Sequence, residues 1–368
     1  MKNIFITGAT GFLGSYLLKR FLDDADVCPI VLARAKKDMS AEARVLNTLK
    51  YFYGEKGAPK MLKRIKVVEG DVSFENCGMD ESVRKSLIEE VDEIYHSAAI
   101  AEFRVPLETI RRSNVKGAMN VFDFALECAD NDHFNKVNHI STTFTAGTKV
   151  GIYYENELKV GQGFHNTYEQ SKYEAEILAH EYMAQGLKIT IFRPSILSGD
   201  YQFGKTSNFK MLYQPLHFFA GELFDALPAT ASCEQNLMPV DSAADAIYRI
   251  ANEKDVEGRT FHISNTKEVT FGHFMGLASD FFGFKKPDFV KPELFNMDNL
   301  SIVQRRLIEP YIPYFNYNLK FDCTKALAVL KRCKFTFPEI TDSFLIKLFS
   351  FCAETGFIKP KRQYVTAE

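Results

Sequence analysis

The strongest constraint on this chain is its opening. An apolar, β-branched run ends at Thr7, Gly8-Ala9-Thr10-Gly11-Phe12-Leu13-Gly14 follows, and an amphipathic stretch continues to Asp23. Gly8 permits a tight turn, Gly11 lets the backbone approach a bound group, and Gly14 lets the helix pack closely on the strand. The first helical turn then offers free N–H groups and the positive end of the helix dipole, which suit a pyrophosphate. The spacing is G-x-x-G-x-x-G rather than the commoner G-x-G-x-x-G, and a ligand-free βα turn would carry the same glycines. The strand–turn–helix context makes the pattern informative. Thr7, Gly8, Thr10, Gly11, Phe12, Leu13 and Gly14 are therefore candidate cofactor contacts.

Downstream, short apolar runs alternate with helical periodicity. Strands are expected at Asn3–Thr7, Ile30–Ala33, Ile65–Glu69, Glu93–His96, Val137–Ser141 and Lys188–Phe192. Helices are expected at Phe12–Asp23, Ala41–Tyr53, Glu81–Glu89, Val115–Cys128 and Tyr168–Gln185. That alternation implies right-handed βαβ units and a buried parallel sheet, an α/β fold of the Rossmann-type doubly wound kind. The rhythm breaks after Arg193-Pro194, and one β-branched return, Arg259–Ser264, could add a last strand. The expected organisation is a dinucleotide-binding domain, 1–195 with 229–265, and a smaller, mostly helical substrate domain, 196–228 with 266–368. The second would sit over the sheet's carboxyl edge, where open α/β sheets bind ligands.

Bulk properties exclude several classes. A formal net charge of −2 gives no electrostatic reason to bind nucleic acid or an acidic membrane. The seven cysteines, at 28, 77, 128, 233, 323, 333 and 352, are odd in number and form no C-x-x-C pair. Neither a disulfide framework nor a metal site is expected. No cleavable leader and no run of eighteen apolar residues is present, so a cytoplasmic protein without an integral membrane segment is expected. The chain has 33 Phe and no Trp. A Phe-rich core is the simpler reading; a pocket for an apolar chain is the functional one, with Phe203, Phe209, Leu212, Phe218, Phe219 and Phe224 as candidates.

The second strand ends in Val31-Leu32-Ala33-Arg34, with Lys36 and Lys37 beyond. An acidic residue here would suit the free ribose of NAD, whereas a cation accommodates a 2′-phosphate, so Arg34 points to NADPH. Asp71, in Glu69-Gly70-Asp71-Val72, is placed to accept from an adenine amino group.

Tyr168 and Lys172 are four residues apart and share a helical face. A free phenol has a pKa near 10; a neighbouring ammonium favours the phenolate and makes the group usable in acid–base catalysis. The pattern alone is weak, since Tyr201 and Lys205 repeat it. That second copy follows Ser198-Gly199-Asp200 and contains Gly204, so a loop is expected there. Ile140-Ser141-Thr142-Thr143 ends the fifth strand, and a hydroxyl there would face the same carbonyl oxygen as the tyrosine. Thr142 is the preferred hydroxyl and Thr143 the alternative.

These residues resemble the extended short-chain dehydrogenase/reductase superfamily. Thr7–Gly14, Asp71, the H-x-A-A run His96–Ala99, Asn114-Val115-Lys116-Gly117 and Tyr168–Lys172 fall in its order, across at least residues 1–265. The Leu32–Ala35 run with the long segment containing Arg44, the stretch Tyr168–Glu176, and Phe192–Asp200 with Met238–Asp241 are similar to one branch. That branch, of the male-sterility NAD-binding type, contains fatty acyl-CoA reductases and thioester-reductase domains. The resemblance implies cofactor contacts at Arg44, Val72, Ala98, Ala99, Asn114 and Ser141, with Arg193, Pro194, Ser195 and Ile196 bordering the nicotinamide. It implies reduction of an acyl thioester to an aldehyde, with further reduction to the alcohol left open. The alternative on the same fold is a sugar-nucleotide epimerase or reductase. A dehydratase is disfavoured because Thr143-Phe144, not Asp-Glu, follow Thr142. An NADPH-sensing regulator is disfavoured by the intact Tyr–Lys pair. With no adenylation or carrier domain in the sequence, the acyl group is expected on coenzyme A or a separate acyl carrier protein. No motif speaks to oligomeric state.

Overall fold

The computed structural model describes residues 1–361. Seven parallel strands form the central sheet. They are β1 (Lys2–Thr7), β2 (Val27–Ala33), β3 (Lys66–Glu69), β4 (Glu93–His96), β5 (Lys136–Ile140) and the strands Ile189–Pro194 and Thr260–Ile263. Their spatial order runs β3, β2, β1, β4, β5, Ile189–Pro194, Thr260–Ile263. Chain direction across the sheet therefore reverses between β1 and β4, the switch point where doubly wound sheets open a crevice. The expected Arg259–Ser264 return forms the far edge and runs parallel to its neighbour, with Phe261 opposite Phe192.

Period-two alternation decides which face each strand residue serves. Ile4, Ile6, Val31, Tyr95 and Phe192 join one core; Phe5, Ile30, Leu32, Ile94 and Ile191 join the other. Helices α1 (Phe12–Leu22), α2 (Ala41–Leu62), α8 (Val240–Ala251) and α11 (Thr324–Arg332) contribute to the first core. The second takes residues from α3 (Glu81–Ile88), α5 (Lys116–Cys128) and α6 (Thr167–Ala184). α11 comes from the C-terminal stretch, yet its Ala326, Val329 and Leu330 are buried with α8 in the sheet's core.

Several boundaries differ from the sequence expectation. β2 starts at Val27 and contains Pro29, which stands one residue before pairing with β3 begins at Ile30, where only β1 flanks the strand. α2 runs on past Tyr53, but Gly54 at φ 65° breaks it there, so the expected helix is followed by a second piece that contains Pro59. Helix α4 (Leu107–Asn114) was not marked by the apolar pattern, since only Ile110 and Asn114 of it are buried.

A third core lies above the carboxyl edge. It is built from α7 (Tyr213–Ala220), α9 (Phe271–Phe282), α12 (Asp342–Glu354) and the 3-10 segment Glu309–Phe315. Phe218, Phe219, Phe224, Phe271, Phe274, Phe281, Phe282, Phe344 and Phe349 are buried here, so most of the surplus phenylalanine builds core. Among the described residues, no helix is long and apolar enough to cross a membrane.

Candidate active site

The turn after β1 meets the end of β4 at the switch point. Gly8 has φ 76°, and a Cβ there would lie 2.6 Å from the Ala98 nitrogen. A Cβ on Gly14 would lie 2.1 Å from the Gly8 oxygen, so both glycines are required by close backbone approach. Gly11 caps α1 without any side-chain hydrogen bond, and first-turn N–H groups have no partner within a helix. Thr7 is turned inward: its hydroxyl lies 2.8 Å from His96 Nδ1 and accepts from the Ala98 N–H at 3.3 Å. It ties the two strand ends together under the turn. Phe12 is half-buried, Leu13 is buried, and Ala99 is exposed on the β4 side.

Two guanidinium groups meet beside this turn. Arg44 donates to the Arg34 carbonyl at 2.7 Å and to the Thr10 hydroxyl at 2.9 Å. Arg34 is more than half exposed and reaches Asp71 Oδ2 at 3.2 Å. Burial opposes the charge on Asp71, but hydrogen bonds from Ser73 and the Arg34 guanidinium hold its carboxyl below the usual range. Burial, with Arg34 nearby, lowers Arg44. Asp71, expected from sequence as an adenine contact, pairs here with the Arg34 guanidinium. Val72 is buried, and its carbonyl accepts from Asn120.

The other half of the site stands on α6. Asn166 caps that helix by accepting from the Glu169 N–H at 3.0 Å, which fixes Tyr168 in the first turn. The Thr142 hydroxyl lies within hydrogen-bonding reach of the Tyr168 phenol. Thr142 also caps the 3-10 turn after β5 and sits 3.4 Å from the Pro194 carbonyl. Thr143 is fully buried and faces the Pro194 carbonyl at 3.5 Å. The structure thus brings Thr142, rather than Thr143, to the phenol.

The acidity of Tyr168 is set otherwise than the spacing suggests. Lys172 gives its ammonium to the Ile140 carbonyl at 2.7 Å. Burial pushes Lys172 down to about 8, opposed by Glu176. Burial pushes Tyr168 up to about 12, opposed by Thr142 and reinforced by Glu169. At neutral pH the phenol holds its proton, the form a proton donor needs.

Behind this pair lies a network that sequence reasoning did not assemble. Ser141 donates to buried Glu176 at 2.6 Å, and Arg193 Nε donates to the same carboxylate at 2.9 Å. The Arg193 guanidinium also meets His262 Nε2 at 3.1 Å and the Glu157 carbonyl at 2.7 Å. Ser141 and Arg193, both expected as cofactor contacts, thus share one buried carboxylate. Removing one member of such a buried pair typically costs about 3–5 kcal/mol. The signal available was Glu176, four residues past Lys172 on the same helical face. Asn114 is also structural: it holds Ile100 through both its amide atoms and donates to Ser171 at 2.9 Å.

Pro194 and Ser195 follow at the strand's carboxyl end. Ser195 is buried, and its hydroxyl has no hydrogen-bond partner. With the glycine cradle, the uncapped start of α1 and the paired arginines, this orphan hydroxyl fits a dinucleotide laid across the switch point. Ile196 lines a narrow apolar cavity of about 30 Å³ beyond it, together with Leu212, Phe219, Phe274, Tyr311 and Tyr314. Of the six apolar candidates named from sequence, Leu212 and Phe219 reach this cavity. Phe209 stacks on Phe357, Phe203 is exposed, and Phe218 and Phe224 are core.

Fold and site together define an NAD(P)-binding α/β domain of the extended short-chain dehydrogenase/reductase type. The chain belongs to the family described as Male sterility protein, whose model matches residues 6–247. It is 26% identical over 308 residues to the L-2-aminoadipate reductase of Schizosaccharomyces pombe, covering 78% of this chain and 21% of that protein. It is 27% identical over 283 residues to the fatty acyl-CoA reductase wat of Drosophila melanogaster, covering 68% of this chain and 54% of that protein. The chain thus spans about a fifth of the first relative and about half of the second. Its fold is similar to the terminal R domain of the myxalamid PKS-NRPS pathway, with a TM-score of 0.83 and 23% identity. That match covers 98% of this chain and 93% of that one.

Proposed function

We propose that this protein is an NADPH-dependent oxidoreductase that reduces an acyl thioester, carried on coenzyme A or a carrier protein, to an aldehyde. The observation that carries the reading is the placement of the Tyr168 phenol beside the Thr142 hydroxyl, one aromatic ring, Phe103, away from Tyr314, which lines an apolar cavity. The relatives named above as reductases of acyl or aminoacyl groups support the substrate class.

Residues 8–14 would hold the pyrophosphate, Arg34 and Arg44 the 2′-phosphate, and Pro194 with the free Ser195 hydroxyl the nicotinamide end. NADPH, when bound, supplies the hydride. Tyr168 and Thr142 direct their O–H groups at the thioester oxygen and stabilise the charge that develops there. Collapse of the hemithioacetal breaks the C–S bond, releases the thiol and leaves the aldehyde, so no protein nucleophile is needed. Accordingly, the buried cysteines are not activated: burial pushes Cys233 up to about 11 and Cys352 up to about 12.

The reading extends to organisation. On this reading 1–195 with 229–265 make the dinucleotide unit and 196–228 with 266–368 the substrate unit, of which 362–368 lie outside the described residues; α11 is the piece of the second that packs into the first. All seven cysteines are free thiols, five of them buried, which suits a cytoplasmic protein. Melting temperature tests the substrate class. With NADPH saturating, an acyl-CoA should raise it further and a nucleotide sugar should not. The opposite ranking would favour the epimerase alternative.

A further inference from the structure

The 3-10 segment Glu309–Phe315 crosses from the C-terminal core to the first turn of α6 and inserts one side chain there. The Tyr314 hydroxyl donates to Glu169 Oε1 at 2.5 Å and accepts from Asn166 Nδ2 at 2.6 Å. Asn166 is the cap of α6, and Glu169 is the residue whose N–H that cap accepts. Glu169 in turn accepts from the His165 N–H at 2.8 Å. Tyr314 therefore completes a capping motif on the very turn that carries Tyr168. Its hydroxyl sits between the two side chains that define where the helix begins.

The ring of Tyr314 does separate work. It stacks on Phe103 at 5.2 Å and 15°, and Phe103 lies 6.4 Å from the Tyr168 ring. Phe144, two residues past Thr142, meets Tyr314 edge-on at 5.2 Å. The same ring lines the apolar cavity, and Gln235 fixes the Tyr314 carbonyl at 2.8 Å.

We propose that Tyr314 is a positioning residue for the reduction: its hydroxyl, latched between Asn166 and Glu169, sets the placement of Tyr168. The catalytic consequence rests on the thioester reading, and the latch on geometry alone.

Tyr314→Phe keeps the ring and removes the latch. It should lower kcat roughly 10-fold while KM for the thioester stays within about twofold, because a small displacement of an acid costs rate rather than binding. NADPH affinity should be unchanged, which also shows that the variant is folded. Amide hydrogen exchange over residues 167–171 should quicken by roughly 5-fold or more, with the rest of α6 unaffected. Glu169→Ala removes the acceptor of that hydroxyl, so combining it with Tyr314→Phe should cost less than the product of the separate losses. Unchanged exchange in Tyr314→Phe, or a raised KM at constant kcat, would overturn the latch. Failure of the unmodified protein to release thiol from any thioester would sink the substrate reading instead, and the exchange comparison would still decide the latch.

Discussion

Tyr168/Lys172 and Tyr201/Lys205 share one local pattern and have opposite fates. The first pair stands on α6, one turn apart, with both side chains held at the sheet's carboxyl edge. The second lies in a loop that needs glycine: Gly204 has φ 71°, and a Cβ there would fall 2.5 Å from the Lys347 backbone. There the Tyr201 ring stacks on Phe344 at 5.1 Å, while the Lys205 ammonium lies 4.9 Å over the Phe203 ring. The two groups are occupied separately and face no common atom. Four-residue spacing places two side chains on a shared face only where a helix carries it.

The largest expected effect breaks or confirms that contrast. Tyr168→Phe removes one hydroxyl and should lower turnover by roughly 10²-fold or more while NADPH still binds. Tyr201→Phe should leave turnover within about twofold, since that hydroxyl donates to nothing in the site. Comparable losses in steady-state rate from both substitutions would mean that the loop copy takes part.

A second comparison sets cofactor binding against chemistry. Arg34→Ala should weaken NADPH by roughly 10-fold and leave NADH nearly unchanged, because only NADPH has a 2′-phosphate for the guanidinium. Fluorescence titration of both cofactors reads this directly, and equal weakening of the two would place Arg34 elsewhere.

The smallest effect concerns pH. Lys172, lowered by burial to about 8, loses its proton in a range where Tyr168, at about 12, keeps its own. With that ammonium neutral, the phenol loses a positive charge one helical turn away and becomes a poorer proton donor, so the reduction should lose rate as pH rises through about 8. Stability moves the other way. An unfolded lysine holds its proton to about 10.5, so between 8 and 10.5 the unfolded chain binds more protons and this group makes folding more favourable as pH rises. A rate profile flat to pH 10 would contradict the assignment.

The parts legible in sequence are those whose geometry is enforced within a few residues. Gly8 and Gly14 announce a close approach, α6 announces its face by spacing, and the strands alternate because both faces of the sheet are covered. What was not legible depends on distant partners. Arg193, implied by resemblance to border the nicotinamide, has its guanidinium held by Glu176, His262 and Glu157, which no local pattern announces. Tyr314 lies 145 residues from Glu169 and carries no local signature. Asp71 follows the third strand, as its sequence context suggested, yet its partner, Arg34, at the end of the second, is visible only in three dimensions.

Following NADPH oxidation and free-thiol release together tests the central claim most directly. Purified protein with a long-chain acyl-CoA should release one thiol for the first hydride consumed, and Thr142→Val should slow both signals equally while NADPH binding persists. NADPH oxidation with a nucleotide sugar, and no thiol from any thioester, would contradict the account.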